Sequence, residues 1–195
     1  MNIGFDAKRA FSNKSGLGNY SRNLIRGLIL NYPDHNFFLF NPGEKKIALH
    51  DFVERKTNIK EIVPTGFFER EFTGWWRSYG ITKKLTEYKV DLYHGLSNEL
   101  PLNIAKSPVK KVVTIHDLIF MRYPEFYQPS DRKMYEHKTR QACKDADVVV
   151  AVSNQTKNDL INLLEVPEKK IQVLYQSCGE NYFNLEESDP SHDAI

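Results

Sequence analysis

Histidine, aspartate and asparagine stand shortly after two apolar runs of the 195-residue sequence. His116 and Asp117 directly follow residues 109–115, and Asn98 comes four residues after His94. A buried polar side chain at a strand end needs a ligand or a protein partner, and a neutral imidazole can donate one hydrogen bond to a hydroxyl group. The pattern predicts that His116 and Asp117 are catalytic. A histidine held by a backbone bond and an aspartate capping a turn would give the same pattern.

Gly16 and Gly18 form a second candidate site. Glycine lets a backbone approach a ligand closely, and a helix N-terminus presents unpaired N–H groups to a phosphate. The match to a dinucleotide fingerprint is poor, because Ser21 stands at the third glycine position and the pair lies ten residues beyond Asp6. The other interpretation is an ordinary helix start with Ser15 as its N-cap.

These residues must be positioned by short apolar runs that alternate with amphipathic segments. The apolar runs predict strands at residues 2–6, 36–40, 58–63, 90–94, 109–115, 147–152 and 171–175. Spacings of three and four predict helices at residues 16–32, 69–88, 130–145 and 154–164.

The predicted fold class is α/β: a Rossmann-like, doubly wound, mainly parallel sheet with helices on both faces. Residues 112–115 and 148–152 consist almost entirely of β-branched residues, which is typical of strands covered on both faces. Helices between most strands imply right-handed crossovers and hence parallel pairing. Ligands of such a sheet bind beyond the carboxyl ends of its strands, where the candidate residues stand.

The composition excludes several classes of protein. With 41% hydrophobic and 27% charged residues, the chain is neither disordered nor collagen-like. The charge-free stretches are much shorter than the roughly 18–20 residues that span a bilayer, and the first residues lack the features of a secretory signal. Two cysteines are too few for a disulfide framework or a zinc site. We therefore expect a cytoplasmic protein without a bound metal or other cofactor.

The net charge of +2 hides an uneven distribution. Residues 180–195 contain five carboxylates and no Lys or Arg, which leaves residues 1–179 with 27 basic and 20 acidic side chains, or +7. A basic group near the start favours an anionic ligand, and its members are Lys8, Arg9, Lys14, Arg22 and Arg26. No pattern of an RNA-binding or oligonucleotide-binding fold is present, so nucleic acid is not an expected partner.

Helical spacing also places five aromatic residues on one face, just before and within the predicted helix at 69–88: Phe68, Phe72, Trp75, Trp76 and Tyr79. A helix at a membrane interface has this appearance. A helix that packs its aromatic stripe against the sheet looks the same, and we expect the second arrangement.

Three segments resemble family 4 glycosyltransferases, which are retaining enzymes with the two-domain GT-B fold. Residues 15–24 (SGLGNYSRNL) resemble their glycine loop and first helix. Residues 113–118 (VTIHDL), followed by Tyr123-Pro124, are similar to their HDL…P segment. Residues 145–160 (DADVVVAVSNQTKNDL) resemble their ADxVxxVSxxTxxDL stretch. Mannosyltransferase-like members are the most similar.

The resemblance implies that residues 1–179 form the N-terminal, acceptor-side domain of an enzyme that transfers a sugar from a nucleotide-sugar to a saccharide or lipid-linked acceptor. His116 would contact the donor sugar, Gly16 and Gly18 would lie near its diphosphate, and no metal would be needed. Residues 180–195 are expected to be an acidic linker toward a C-terminal donor-binding domain, without which this chain is expected to be inactive.

On the acceptor side, we expect Lys8, Arg9, Asn19 and Asn98 to line the site, with peripheral contact to a membrane for a lipid-linked acceptor. Two other functions remain open at this point. One is a stand-alone, non-catalytic module of the same fold that binds carbohydrate or protein. The other is a nucleotide-dependent oxidoreductase, which the poor glycine fingerprint disfavours.

Overall fold

The computed structural model describes residues 1–43, 46–53 and 58–176, and within them seven strands form one parallel sheet. The strands are β1 (Asn2–Asp6), β2 (Asn36–Phe40), β3 (Ile59–Ile62), β4 (Leu92–Gly95), β5 (Lys110–Ile115), β6 (Val148–Ala151) and β7 (Ile171–Val173). They lie in the order β3-β2-β1-β4-β5-β6-β7. The predicted fold class is confirmed, whereas the predicted acidic linker at 180–195 lies outside the described residues.

The helices are α1 (Lys8–Ser12), α2 (Gly16–Asn31), α3 (Phe67–Glu71), α4 (Thr73–Trp75), α5 (Ile81–Glu87), α6 (Ile119–Arg122), α7 (Pro129–Asp145) and α8 (Asn154–Leu164). A π turn over Trp76–Gly80 joins α4 to α5. Short 3-10 turns occur at Leu49–Asp51, Ile104–Lys106, Pro124–Phe126 and Glu168–Lys170. The chain adds β2 and β3 on one side of β1 and then β4 to β7 on the other, so the direction of winding reverses between β1 and β4. We call this place the switch point.

Alternate residues of β2 show that both faces of the sheet are covered. Phe37 and Leu39 belong to a buried cluster that includes Ile25 of α2. Phe40 belongs to a second buried cluster, which includes Leu85 of α5 and residues of α7 and α8. Because successive side chains of a strand point to opposite faces, the two clusters lie on opposite sides of the sheet.

The predicted helix at 69–88 is interrupted, and its aromatic stripe does not pack on the sheet. The backbone leaves the helical region at Phe72, with φ −112° and ψ 59°, and the π turn follows four residues later. Trp76 is fully buried, but Phe68, Phe72, Trp75 and Tyr79 are each at least 43% exposed. The prediction was therefore wrong for four of the five aromatic residues. A break and a π turn change the rotation per residue, so a face defined by helical spacing does not continue through them.

The serine residues before α8 and α2 differ in whether they cap the helix that follows. The Ser153 Oγ accepts a hydrogen bond from the backbone N–H of Thr156 at 3.0 Å and caps α8. The Ser15 side chain does not cap α2, because its hydroxyl donates instead to the Oδ1 of Asn13 at 2.7 Å. The loop before α2 is therefore held by contacts among its own residues and not by an N-cap.

Gly18→Ala should destabilise the protein, whereas Gly16→Ala should not. A Cβ on Gly18 would overlap the backbone carbonyl of Asn13, while a Cβ on Gly16 would meet open space. We expect Gly18→Ala to lower the free energy of unfolding by about 1–3 kcal/mol, as overpacking does, and Gly16→Ala to change it by less than about 1 kcal/mol. Urea denaturation of the two variants tests this difference, and equal stability would contradict it.

Candidate functional site

The residues singled out from the sequence lie at the carboxyl edge of the sheet, on both sides of the switch point. Lys8 and Arg9 begin α1 directly after β1, and Asn98 lies in the loop after β4. His116 and Asp117 directly follow β5. The crevice beyond these strand ends is where open parallel sheets bind ligands, so the fold brings these five residues to the expected place.

Asn98 connects the loop after β4 to the end of β5. Its φ of 59° lies in the left-handed region, which asparagine tolerates better than most residues. The Oδ1 accepts a hydrogen bond from the backbone N–H of His116 at 2.8 Å, and the Nδ2 donates to the carbonyl oxygen of Asp117 at 3.4 Å. Asn98 therefore positions both candidate catalytic residues, with one amide N–H left for a ligand.

The hydrogen bonds of His116 fix which ring nitrogen carries the proton. Its Nε2 lies 2.9 Å from the carbonyl oxygen of Leu96, which can only accept, so Nε2 bears the hydrogen. Nδ1 then accepts a hydrogen bond from the Nε2 of Gln176 at 2.9 Å. Burial lowers the pKa of His116, so the ring is neutral at pH 7. Without a hydrogen, Nδ1 can accept a hydrogen bond from a hydroxyl group but cannot donate one.

A buried network holds the His116 ring from behind. The Tyr20 ring meets it edge-on with centroids 4.8 Å apart. The Tyr20 hydroxyl and the Nε2 of His94 each lie 2.9 Å from the Oγ1 of Thr114. His94 is thus a structural residue inside the sheet edge. The orientation of the His116 ring is therefore supported by Tyr20 of α2, which is itself held by Thr114 of β5.

We expect stability to fall between neutral pH and pH 4 because of His94. Burial lowers the pKa of His94 from 6.5 to about 4, so the unfolded chain binds its proton at a higher pH than the folded protein. The contribution of His94 is complete above about pH 6.5 and is lost as the pH falls toward 4. The linkage amounts to about 3 kcal/mol.

Denaturation from pH 7 to pH 4.5 measures this slope in the wild type, in His94→Gln and in the exposed-histidine control His137→Gln. Only His94→Gln should flatten it. An unchanged slope in that variant would show that His94 is not the group responsible.

A buried ion network joins the elements around the switch point. The Arg77 guanidinium donates to the Asp6 Oδ2 through Nε at 3.0 Å and Nη2 at 2.5 Å, and to the Glu99 Oε2 through Nη1 at 2.7 Å. The Nζ of Lys138 lies 3.2 Å from the same Glu99 oxygen. Burial lowers the pKa of Arg77, but the charges of Asp6 and Glu99 outweigh it and the net pKa is raised. The network holds the π turn and α7 against the ends of β1 and β4.

Lys8 and Arg9 carry positive charge, and within the described residues neither side chain forms a salt bridge with a carboxylate. The Nε of Arg9 is buried without a hydrogen-bond partner in the described part of the chain. Burial lowers the pKa of Lys8, and the neighbouring cations Arg77 and Arg9 lower it further. A bound anion would reduce the cost of holding these two cations in the crevice.

Gly16, Gly18 and Asn19 lie in the first turn of α2, and the contacts found there are with neighbouring residues of the chain. The Asn13 carbonyl fills the space at Gly18, and the Oδ1 of Asn19 accepts a hydrogen bond from the Nη2 of Arg22 at 2.6 Å. Gly16 is exposed and open. Of the two glycines, Gly16 is therefore the accessible one. That Gly16, Gly18 and Asn19 contact a ligand stays a prediction.

Sequence reasoning missed several residues of the crevice. Arg9, Asn98 and Asp117 line a cavity of about 240 Å³ together with Glu99 and Lys138. The rest of its lining consists of Leu17, Thr139 and three aromatic residues, Phe120, Tyr127 and Tyr135. Glu99 could have been found as the neighbour of Asn98 after the same strand. The aromatic residues come from α6, α7 and the turn between them, and no spacing in the sequence links them to β4.

Residues 1–43, 46–53 and 58–176 contain neither a cluster of metal-ligating side chains nor a membrane-spanning helix. No group of three or more His, Cys, Asp or Glu side chains is arranged to hold a metal ion there. No helix in these ranges combines the length and the apolar character that crossing a membrane requires.

Comparisons with known proteins agree with the fold and the motifs. Over 99 residues, half of this chain, the sequence is 29% identical to the O-antigen chain mannosyltransferase B of Escherichia coli. The crystal structure of a glycosyltransferase from Rickettsia africae ESF-5 superposes on 97% of the chain with a TM-score of 0.56 and 18% identity, which indicates a shared fold. The chain spans 25% of the first protein's length and 46% of the second's. The sequence profile described as Glycosyltransferase Family 4 matches residues 14–177. The chain therefore belongs to glycosyltransferase family 4.

Proposed function

We propose that residues 1–179 are the N-terminal, acceptor-side domain of a retaining glycosyltransferase. The enzyme moves a sugar from a nucleotide-sugar donor to a hydroxyl of a saccharide or lipid-linked acceptor, at the cytoplasmic face of a membrane. Family membership and the Escherichia coli mannosyltransferase relative support a hexose as the transferred group. The observation that carries the proposal is the neutral His116 ring directly after β5, whose unprotonated Nδ1 accepts a hydrogen bond from the Gln176 side chain and could accept one from a ligand hydroxyl instead.

Each candidate residue has a distinct role in this reaction. The Nδ1 of His116 accepts a hydrogen bond from a donor-sugar hydroxyl, in the place where the Gln176 amide now donates. One carboxylate oxygen of Asp117 accepts a hydrogen bond from the backbone N–H of Ile119 at 3.1 Å. The other accepts a hydrogen bond from a hydroxyl of the reacting sugars. Asn98 holds both residues at the crevice.

Positive charge is needed where the diphosphate leaves. The bond from the sugar C1 to the phosphate oxygen breaks while the bond to the acceptor oxygen forms, so negative charge accumulates on the diphosphate, whose departing oxygen takes the proton of the acceptor hydroxyl. Gly16 admits this group, and Lys8 and Arg9, which we expect on the acceptor side, add positive charge to the same crevice. The C-terminal domain supplies the main donor contacts, and we expect the reaction to need no metal ion.

A lipid-linked acceptor requires the domain to meet a membrane, and the exposed aromatic residues provide a suitable surface. Phe68 contacts Phe72 and Trp75 with centroids 4.6 and 5.2 Å apart, and the neighbouring Phe67 is 84% exposed. Aromatic rings favour the interface between lipid and water. The same segment continues to Arg77 at the switch point, so a membrane bound here lies beside the crevice.

Release of nucleoside diphosphate tests the proposed reaction. The full-length protein that contains this chain is incubated with GDP-mannose, UDP-glucose and other nucleotide-sugars, with methyl glycosides or lipid-linked saccharides in vesicles as acceptors. We expect release with one donor, dependent on acceptor, and a product that keeps the anomeric configuration. Saccharide binding without release from any donor would instead support a non-catalytic binding module.

A further inference from the structure

The first turn of α8 carries a buried hydroxyl group that the roles above do not use. Thr156 belongs to the segment 145–160 and is only 4% exposed. Its Oγ1 lies 3.0 Å from the backbone carbonyl oxygen of His116, forty residues earlier in the chain. Because a carbonyl oxygen can only accept, the Thr156 hydroxyl donates this hydrogen bond. Helix α8 is therefore tied to the residue that follows β5.

Ser153 orients the Thr156 hydroxyl. The two hydroxyl oxygens lie 3.0 Å apart, and because the Thr156 hydrogen points to the His116 carbonyl, Ser153 is the donor of this pair. The Ser153 Oγ in turn accepts a hydrogen bond from the backbone N–H of Thr156 at 3.0 Å. Hydrogen bonds in such a chain polarise and strengthen one another. A run of hydrogen bonds thus leads from the α8 backbone to the peptide group after His116.

Both peptide planes beside the His116 Cα are held by side chains. The Oδ1 of Asn98 accepts from the N–H of His116 at 2.8 Å, which holds the plane before this Cα. Thr156 donates to the carbonyl after it, and that carbonyl lies in the same rigid plane as the N–H of Asp117. A rotation of this second plane would change ψ of His116 and φ of Asp117. The two contacts therefore set the direction in which both candidate catalytic side chains leave the backbone.

The order of the strands explains why side chains are needed at this position. Strand β5 lies between β4 and β6, and its pairing with β6 ends at Ile115. The N–H of Val152 still reaches the Ile115 carbonyl, at 3.4 Å. His116 comes next, beyond the paired residues. Asn98 from the β4 side and Thr156 from the β6 side replace the contacts that a neighbouring strand would make.

We propose that Thr156 is a positioning residue of the transfer reaction: its hydroxyl fixes the peptide group between His116 and Asp117, and so the direction of both side chains. Because Thr156 is buried, it acts through these residues and not on a substrate. A β-branched side chain suits this role, since its few rotamers limit where the hydroxyl can point. The inference rests on the proposed roles of His116 and Asp117, and it gives the segment 145–160 a part in the site.

Steady-state kinetics of the full-length protein, with its nucleotide-sugar and acceptor, test the inference on three variants. Thr156→Val keeps the shape of the side chain and removes the hydroxyl, whereas Thr156→Ser keeps the hydroxyl. Thr82→Val on α5 is the matched control, because it also removes a hydrogen bond, from the Thr82 Oγ1 to the Asn103 Oδ1 at 2.6 Å. We expect kcat to fall about tenfold in Thr156→Val, less than about threefold in Thr156→Ser and not at all in Thr82→Val. The Kd of the nucleoside diphosphate alone should stay unchanged, because this ligand lacks the sugar.

Ring ¹⁵N NMR of the ligand-free protein gives a measurement that does not depend on turnover. The His116 resonances should shift in Thr156→Val, return to the wild-type positions in Thr156→Ser and stay in place in Thr82→Val. Unmoved His116 resonances in Thr156→Val would overturn the inference. If Thr156→Val does not fold, Ser153→Ala takes its place, because it removes the hydroxyl that donates to Thr156. The same resonances should then shift, and their failure to move would again overturn the inference.

A double variant shows whether Thr156 acts through His116. In His116→Ala/Thr156→Val the loss of kcat should be smaller than the product of the two single losses, because part of the Thr156 effect disappears with the ring. Losses that multiply would overturn the inference. Wild-type kcat in folded Thr156→Val, beside a large loss in His116→Ala, would refute this inference alone. If His116→Ala keeps wild-type kcat while the resonances shift as expected, Thr156 positions the ring but the proposed role of His116 in transfer is wrong.

Discussion

Replacing His116 with alanine is expected to lower kcat/KM for sugar transfer about 100-fold, equivalent to about 2.7 kcal/mol at the transition state. The variant loses the Nδ1 atom, which we propose accepts a hydrogen bond from the donor sugar. It also loses the Nε2–H bond to Leu96 and the edge contact with Tyr20, so a stability loss of about 1 kcal/mol accompanies it. Steady-state kinetics of the full-length enzyme and urea denaturation separate the two effects. His137→Ala, an exposed histidine on α7, is the control and should leave both unchanged.

Two conservative variants of His116 separate hydrogen-bond acceptance at Nδ1 from the Nε2–H bond to the Leu96 carbonyl. In His116→Asn the side-chain oxygen can take the position of Nδ1, but the bond to Leu96 is lost. In His116→Gln the amide nitrogen can take the position of Nε2 and keep that bond, but no acceptor faces the crevice. We expect the asparagine variant to retain more activity and the glutamine variant to retain more stability. The reverse order of activities would show that His116 acts through the loop after β4 and not on the sugar.

Arg77→Met should cause the largest loss of stability, about 3–5 kcal/mol, because it leaves Asp6 as an uncompensated buried charge. The Asp6 side chain is 3% exposed and that of Arg77 12% exposed, so water cannot replace the lost partner. Thermal and urea denaturation measure the effect. Lys84→Met is the control, since the Lys84–Glu87 pair at 2.9 Å lies at the surface and should contribute less than about 1 kcal/mol.

The double variant Asp6→Asn/Arg77→Met tests the cause of that loss. Neutralising Asp6 removes the unpaired charge, so the double variant should be more stable than Arg77→Met alone. If the two are equally unstable, packing of the arginine stem accounts for the loss and the charge does not.

The sequence predicted the parts of the fold that depend on local patterns. Runs such as residues 148–152 can only be strands covered on both faces, and they placed His116 and Asp117 at a strand end. The short helix α1 was missed because its five residues carry no complete amphipathic repeat. The exposure of Phe68 and Trp75 could not be predicted, because the spacing of apolar residues gives no sign of the break at Phe72 or of the π turn.

The candidate site was predictable only in part for the same reason. His116, Asp117 and Asn98 follow strands, so their proximity could be inferred from parallel pairing alone. The cavity also needs Tyr127 and Tyr135, which come from the region of α6 and α7 and meet the crevice only through tertiary packing. The protonated nitrogen of His116 is likewise set by the Leu96 carbonyl, twenty residues earlier in the chain.

The central claim is that the Nδ1 of His116 binds a hydroxyl of the donor sugar, and ¹⁵N NMR of the histidine rings during donor titration tests it most directly. The 195 residues of this chain contain six histidines. We expect the Nδ1 resonance of His116 to shift on addition of the nucleotide-sugar that the enzyme uses, and to stay in place when the nucleoside diphosphate alone is added. The His94 and His137 resonances should not move. An unchanged Nδ1 resonance of His116 under conditions of active transfer, or the same shift with the diphosphate alone, would contradict the account.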